Sequence, residues 1–318
     1  MRILLTGASG FVGSHLLKAL QTDHALVVLG RRRPEHYQGD FISYDLLDDS
    51  LSEKSMSDVD VVIHSAARVH IMDDDSQDPL QEFRASNTIA TVELAKKAAE
   101  EGVRRFIFIS SVKVNGESTS NLPPFTADDK RAAEDYYGRS KSEAEEQLQQ
   151  LAKDTGLEVV IIRPPLVYGP GVKANFSALM NIVSKGTPLP FGCINTNKRS
   201  LVSVDNLVDL IVTCIEHPKA VNQVFLVSDD HDVSTSEMVR EMAKSLGNRD
   251  WQIPVPLWCF KLLGQISNKE PLVDRLVGSL QVDISHTKET LNWHPPQTLE
   301  EGFRKTANAF LQSKNKEQ

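Results

Sequence analysis

The N-terminal stretch constrains this chain more than any other. Arg2 to Thr6 (RILLT) is a short apolar run. Gly7, Gly10 and Gly13 follow it at regular spacing, Leu16, Leu17 and Leu20 then recur at helical spacing from Ser14 onward, and Ala25 to Leu29 is a second apolar run. A strand, a glycine turn, a helix and a second strand make a βαβ unit. Glycines at such a turn permit a tight reversal and let an anionic group reach the backbone N–H groups at the helix N-terminus. In this context the turn reads as a dinucleotide site rather than a plain strand–helix connection.

The pattern continues. Phe41 to Tyr44, Val59 to His64, Arg105 to Ser110 and Glu158 to Arg163 are further strand candidates, with helical patterns at Leu80 to Glu101 and Ala133 to Thr155 between them. Continuous apolar runs alternating with helices predict a parallel, doubly wound α/β sheet of Rossmann type. After about residue 166 the chain changes to short segments with Pro/Gly punctuation and helical patterns at Asn175 to Lys185, Val204 to Glu216 and Ser234 to Leu246. The expected organisation is a dinucleotide-binding domain over 1–166 with returning segments, a smaller mixed substrate lobe over 167–312, and a flexible polar tail over 313–318. Ligands of such sheets bind at the carboxyl ends of the strands, where the second lobe closes.

Composition narrows the function. The chain has 318 residues, a net charge of −8 and no stretch apolar enough to span a membrane. That balance argues against a general nucleic-acid binder. The three cysteines, Cys193, Cys214 and Cys259, lie far apart without metal-type pairing, which fits a reducing cytoplasm. The turn His70-Ile71-Met72-Asp73-Asp74-Asp75 reads as a solvated loop, and no metal site is expected.

The chemistry is carried by Tyr137-Gly138-Arg139-Ser140-Lys141 with Ser111 upstream. A tyrosine four residues before a lysine shares its helical face. A neighbouring ammonium favours the phenolate and draws the phenol toward the working range, while a serine hydroxyl could steady the reacting oxygen. The pair by itself is equally the surface of an ordinary helix with a packed tyrosine and a solvated lysine. Its place behind a dinucleotide turn turns it into proton chemistry on an alcohol or ketone. The end of the second strand reads Gly30-Arg31-Arg32-Arg33, without the carboxylate that would hold a ribose 2′-OH; arginine there accommodates a 2′-phosphate. NAD(P) is therefore expected, with NADP(H) favoured through Arg31.

Together these motifs resemble the extended branch of the short-chain dehydrogenase/reductase superfamily, the nucleotide-sugar epimerases and dehydratases, over nearly the whole chain. Thr6-Gly7-x-x-Gly10-x-x-Gly13, Asp45-Leu46, His64-Ser65-Ala66-Ala67, Asn87, Ser110 to Gly116, Tyr137 to Lys141, Arg163 to Pro170 and Arg199 with Val204-Asp205-Asn206 carry the resemblance. It implies catalysis by Ser111, Tyr137 and Lys141. It implies a cofactor site of Gly7, Gly10, Phe11, Val12, Gly13, Arg31, Asp45, Leu46, Ser65, Ala66, Ala67, Asn87, Lys141 and Pro164. It implies a substrate site of Lys113, Asn175, Arg199 and Arg275, Arg275 being equally readable as an exposed helix residue.

The implied activity is redox chemistry at C4 of a UDP-hexose or UDP-N-acetylhexosamine, as a 4-epimerase working through a 4-keto intermediate. The alternatives are an NADPH-dependent 4-reductase of a UDP-4-keto-6-deoxy sugar and a non-enzymatic NADP-binding sensor. A dehydratase is disfavoured because Val112 and Lys113 stand where an Asp-Glu pair is expected. Gly30 and the run Arg199-Ser200-Leu201-Val202-Ser203 depart from the pattern of plain UDP-hexose epimerases. The expected partners are a UDP-sugar and a second copy packed through Leu80 to Glu101 and Ala133 to Thr155, with neither nucleic acid nor membrane.

Overall fold

The computed structural model describes residues 1–45, 47, 56–69, 78–267 and 270–317. Leu46 and the acidic turn from His70 to Asp75 lie outside them. In chain order the elements are β1 (Arg2–Thr6), α1 (Phe11–Leu20), β2 (Ala25–Gly30), β3 (Asp40–Ser43), β4 (Val61–His64) and α2 (Pro79–Arg84). A π-helical turn (Ala85–Ile89) leads into α3 (Ala90–Glu100), β5 (Arg105–Ile109), a 3₁₀ turn (Val112–Val114), α4 (Tyr136–Thr155), β6 (Glu158–Arg163) and β7 (Leu166–Tyr168). Then come α5 (Ala174–Val183), β8 (Leu201–Ser203), α6 (Val204–Glu216), β9 (Val224–Leu226) and α7 (Thr235–Ser245). Four helices follow: α8 (Leu257–Ile266), α9 (Glu270–Val277), α10 (Ser285–Leu291) and α11 (Leu299–Glu317).

The sheet has seven strands in the order β3-β2-β1-β4-β5-β6-β9, and every pairing within it is parallel. This is the Rossmann-type α/β architecture. The strands read as unbroken apolar runs because helices cover both faces: β4 and β5 are buried at every residue. One face is closed by a core that includes Leu16, Ile107 and Phe225, the other by a core that includes Leu94, Phe106 and Leu148. A separate core of Tyr168, Phe176, Met242 and Phe303 holds the smaller lobe, which contains the two-stranded β7–β8 sheet. β9, far along the sequence, returns to complete the main sheet beside β6. The chain order reverses between β1 and β4, and a crevice for ligands opens at the carboxyl ends of strands at such a switch point.

Several element boundaries differ from the sequence reading for local reasons. α1 begins at Phe11 rather than Ser14, because Gly10 is its N-cap and the helix springs directly from the glycine turn. α4 begins at Tyr136 rather than Ala133, because the Asp135 carboxylate accepts the Gly138 N–H (2.7 Å) and caps the helix there. The helix expected over Leu80 to Glu101 is interrupted by the π-helical turn, which holds Asn87. The segment from 313, read as a flexible tail, continues α11 as helix to Glu317, and Lys314 Nζ donates to Ser184 Oγ (2.9 Å).

Candidate active site

The glycine turn sits at the switch point. Gly7 has φ +73, and a β-carbon on it would lie 2.6 Å from the Ala66 nitrogen after β4; one on Gly13 would lie 2.1 Å from the Gly7 carbonyl oxygen. Only glycine permits this closeness of β1, α1 and β4. The result is a cradle over the start of α1, where Gly10 offers no side-chain cap and the first-turn N–H groups of Phe11, Val12 and Gly13 have no partner within the helix. A diphosphate fits such a cradle on charge and on shape.

Ser65, Ala66 and Ala67 line the neighbouring strand end. Ser65 Oγ donates to Thr6 O (2.7 Å), and Ala66 N donates to Thr6 Oγ1 (3.3 Å). Arg31 is exposed beyond β2, and Asp45 follows β3 with its carboxylate accepting Leu47 N–H (3.2 Å). Pro164 O accepts the Val112 N–H (3.0 Å), which joins the end of β6 to the segment after β5.

That segment presents Ser111. Its neighbour Ser110 is 3% exposed and donates to the Glu145 carboxylate (2.6 Å), itself paired with Arg163 (2.5 Å), so Ser110 is committed to the interior. Ser111 caps the 3₁₀ turn by accepting Lys113 N–H (3.3 Å) and keeps its hydroxyl at the strand end. The first turn of α4 lies directly against it. A β-carbon on Gly138 would come within 2.9 Å of the Lys113 carbonyl oxygen, so the glycine between Tyr137 and Lys141 is what lets the helix approach.

Tyr137 is half-buried, its ring edge-on to Phe83 (6.4 Å). The phenol is pushed up to about 12 by burial and by the Asp135 charge. The expectation that Lys141 draws this phenol down is therefore not met. Burial outweighs it, and Lys141 is itself desolvated: at 1% exposed, its ammonium is driven down to about 7 by burial against an opposing pull from Glu145. Lys141 Nζ donates to Ile109 O (2.9 Å) and lies 4.3 Å from the Phe108 ring centroid.

A buried polar chain runs from the cradle to this helix. Thr6 Oγ1 meets His64 Nδ1 (2.8 Å), His64 Nε2 meets Thr91 Oγ1 (3.0 Å), and Thr91 donates to Asn87 O (2.8 Å). Asn87 Nδ2 donates to Ser140 Oγ (3.0 Å), which donates to Tyr137 O (2.8 Å). Asn87 also exchanges bonds with the Arg68 backbone (2.8 and 3.0 Å). Asn87 thus clamps the loop after β4 to α4. His64 is driven down to about 3 by burial and by Lys141, so it stays neutral.

Arg199 and Arg275, expected from the sequence to bind substrate, are brought together. Arg199 Nη1 donates to Arg275 O (2.6 Å), and its guanidinium is lowered by burial and by the Arg275 charge. Arg275 itself reaches the Glu117 carboxylate (4.0 Å), so one anion stands beside the two cations. Asn175 lies in the first turn of α5. Lys113 is held by two carboxylates, Glu117 (3.2 Å) and Asp135. Asp135 and Glu117 were missed in the sequence. Both had a legible signal: Asp135 lies three residues before the N–H it caps, and Glu117 lies four residues after Lys113, at the spacing of a local ion pair. Among the described residues no cluster of His, Cys, Asp or Glu could hold a metal ion, and the three cysteines are free.

Residues 3–228 match the family model described as the NAD dependent epimerase/dehydratase family. The chain is 59% identical over 317 residues to a UDP-glucose 4-epimerase of Vibrio cholerae, covering 99% of this chain and 97% of the relative. It is 26% identical to an N-acetyl-alpha-D-glucosaminyl-diphospho-ditrans,octacis-undecaprenol 4-epimerase of Escherichia coli O157:H7, over 96% of this chain and 93% of that one. Among solved structures, UDP-glucuronic acid 4-epimerase from Bacillus cereus in complex with NAD shares the fold, with a TM-score of 0.79 and 22% identity, covering 98% of this chain and 99% of that one.

Proposed function

The chain belongs to the NAD dependent epimerase/dehydratase family, and within it we propose that this enzyme inverts C4 of a UDP-hexose or UDP-N-acetylhexosamine through a 4-keto intermediate. The observation that carries this reading is the convergence of three strand-end features on one crevice. These are the glycine cradle after β1, Ser111 after β5, and the first turn of α4 with Tyr137 and Lys141. The near-full-length likeness to a UDP-glucose 4-epimerase supports the substrate class.

Gly7, Gly13, the first-turn N–H groups of α1 and the Ser65–Ala67 strand end would hold the dinucleotide. When bound, NAD(P) supplies the acceptor and donor of hydride for C4. Tyr137 exchanges the proton of the C4 oxygen, Ser111 donates to that oxygen, and Lys141 supplies positive charge beside the phenol. Because Tyr137 is a neutral phenol near pH 7, it is a ready proton donor to a 4-keto oxygen; acting as a base, it needs the Lys141 ammonium. The Arg199–Arg275 pair and Asn175 would take the nucleotide diphosphate. Incubation with UDP-Glc, UDP-GlcNAc and a 4-keto-6-deoxy UDP-sugar, with and without NADPH, tests the reading. Interconversion of C4 epimers without added reductant is expected, and stoichiometric loss of NADPH with the keto sugar alone overturns it.

Gly30 favours that second outcome, a 4-reductase drawing on NADPH. A β-carbon at Gly30 would meet nothing within 4 Å, and Arg31 and Arg32 beside it are exposed, whereas Arg33 is tied to Gly39 O (2.7 Å). Open space flanked by free guanidinium groups suits a ribose 2′-phosphate, so NADP(H) is the favoured cofactor. Arg31→Ala is expected to weaken NADPH by about tenfold, one lost charged hydrogen bond, and NADH by less than about twofold. Equal effects in fluorescence titrations of the two would remove the preference. A homodimer packed through α3 and α4 completes the reading; exposed Ile89 and Tyr136 give that face apolar contacts.

A further inference from the structure

The hairpin of α8 and α9, on the outside of the smaller lobe, has an apolar face with nothing upon it. Among its described residues only Gly264 is buried. Trp258 is 66% exposed, Leu263 62% and Ile266 73%, with Leu262, Leu272 and nearby Trp251 and Ile253 also exposed. Counting about 100° per residue, Trp258, Leu262, Ile266 and Leu263 cover about 140° of α8. Gly264 lies on the opposite side, where a β-carbon would come within 2.9 Å of Val273 of α9. The inner side is seated as well: Phe260 stacks on Phe191 (6.3 Å), and Ile253 N–H donates to Leu189 O (2.7 Å). The hairpin is therefore docked on its polar-poor inner face and presents a second apolar face outward. A lone soluble protein does not ordinarily carry such a patch.

We propose that this hairpin is a membrane-surface element that lies in the lipid headgroup region. Three observations select lipid as the occupant. From Trp251 to Val277 the cations Lys261, Lys269 and Arg275 outnumber the anions Glu270 and Asp274, in a chain with 43 acidic residues and a net charge of −8, and Lys261 is the one charge on α8. That net positive sign suits an anionic leaflet. Two of the three tryptophans, Trp251 and Trp258, are in this segment and exposed, whereas Trp293 is 5% exposed in the core. Tryptophan is the side chain that settles at the membrane–water boundary. No helix among the described residues is long and apolar enough to cross a membrane, so the mode of contact is lying on the surface. The second copy proposed above packs through α3 and α4, away from this face. The absence of a spanning stretch, on which the expectation of no membrane rested, says nothing against an interfacial helix. Because α9 carries Arg275, docking brings the Arg199–Arg275 side of the lobe to the lipid surface.

The test is co-sedimentation of the full chain with vesicles of phosphatidylethanolamine and phosphatidylglycerol, with tryptophan emission recorded. Wild type is expected to pellet with the vesicles and its emission to shift blue. A Trp258→Asp, Leu263→Asp double variant is expected to bind at least about tenfold more weakly while turning over soluble UDP-sugar at the wild-type rate, which shows that it is folded. Lys261→Glu is expected to lower binding to the anionic vesicles and leave binding to phosphatidylcholine vesicles unchanged. Wild type remaining in the supernatant with every composition overturns the proposal. So does dissociation of an oligomer by the double variant in sedimentation velocity without vesicle binding by wild type, since a second copy then covers the face.

Discussion

Tyr137→Phe is expected to cut turnover by about 10³-fold, some 4 kcal/mol of transition-state stabilisation, while changing the cofactor dissociation constant by less than about twofold. Phenylalanine keeps the ring volume and the edge contact with Phe83, and the Ser140 bond to the residue-137 carbonyl is made by the backbone. Only the hydroxyl is lost. Burial and the Asp135 charge hold that hydroxyl at about 12, so in wild type it is a desolvated, protonated donor aimed into the crevice. Steady-state kinetics on the UDP-sugar, with dinucleotide titration in parallel, check the result. Turnover within about tenfold of wild type would remove Tyr137 from the proton-transfer step, and a matching loss of cofactor affinity would recast it as a binding residue.

Lys141→Met is expected to cost turnover to a similar degree and to stabilise the fold. The Lys141 side chain is 1% exposed, its ammonium donating to Ile109 O and lying over the Phe108 ring. Burial lowers it to about 7 from the ordinary lysine value. Below that value the folded protein must hold a charge that water would hold better. A thioether of similar length removes this cost, and an increase of about 1–2 kcal/mol is expected, a few degrees in Tm. The pH dependence gives a sharper signature. Between about pH 7 and 10 the unfolded chain binds the lysine proton and the folded chain does not, so this residue's contribution becomes more favourable as pH rises through that window. The stability gap between variant and wild type is therefore expected to be widest below pH 7 and to narrow toward pH 10. A gap independent of pH would show that Lys141 is not desolvated in the folded protein.

The parts of the fold legible in sequence were those where one segment sufficed. The glycine turn, the continuous apolar strands and the alternation with helices fixed the parallel sheet, because burial on both faces leaves no polar positions to confuse the period. The C-terminal half was less legible. β7, β8 and β9 are each only three residues long, too short for a period, and their pairing partners lie far away in the chain. Beyond Leu246, where the last helical pattern of the sequence ends, the chain still contains α8, α9, α10 and α11. In α8 only Lys261 and Gln265 interrupt an otherwise apolar run, and the exposed Trp258, Leu263 and Ile266 mark it as a contact surface.

What the sequence by itself determined is the chemistry available: a dinucleotide cradle, a serine, and a tyrosine and lysine four residues apart on one helix. Local spacing dictates those, since a turn and a helix place their own residues. What only the tertiary structure decided is the state of those groups. Gly138 lets α4 close on the Ser111 turn, the burial of Lys141 lowers its ammonium, and burial with the Asp135 charge raises the phenol that Lys141 was expected to lower. Desolvation and charge proximity depend on which distant segments pack together. So the direction of the Tyr137 shift, the pairing of Arg199 with Arg275 and the bare face of α8 had to wait for the packed molecule.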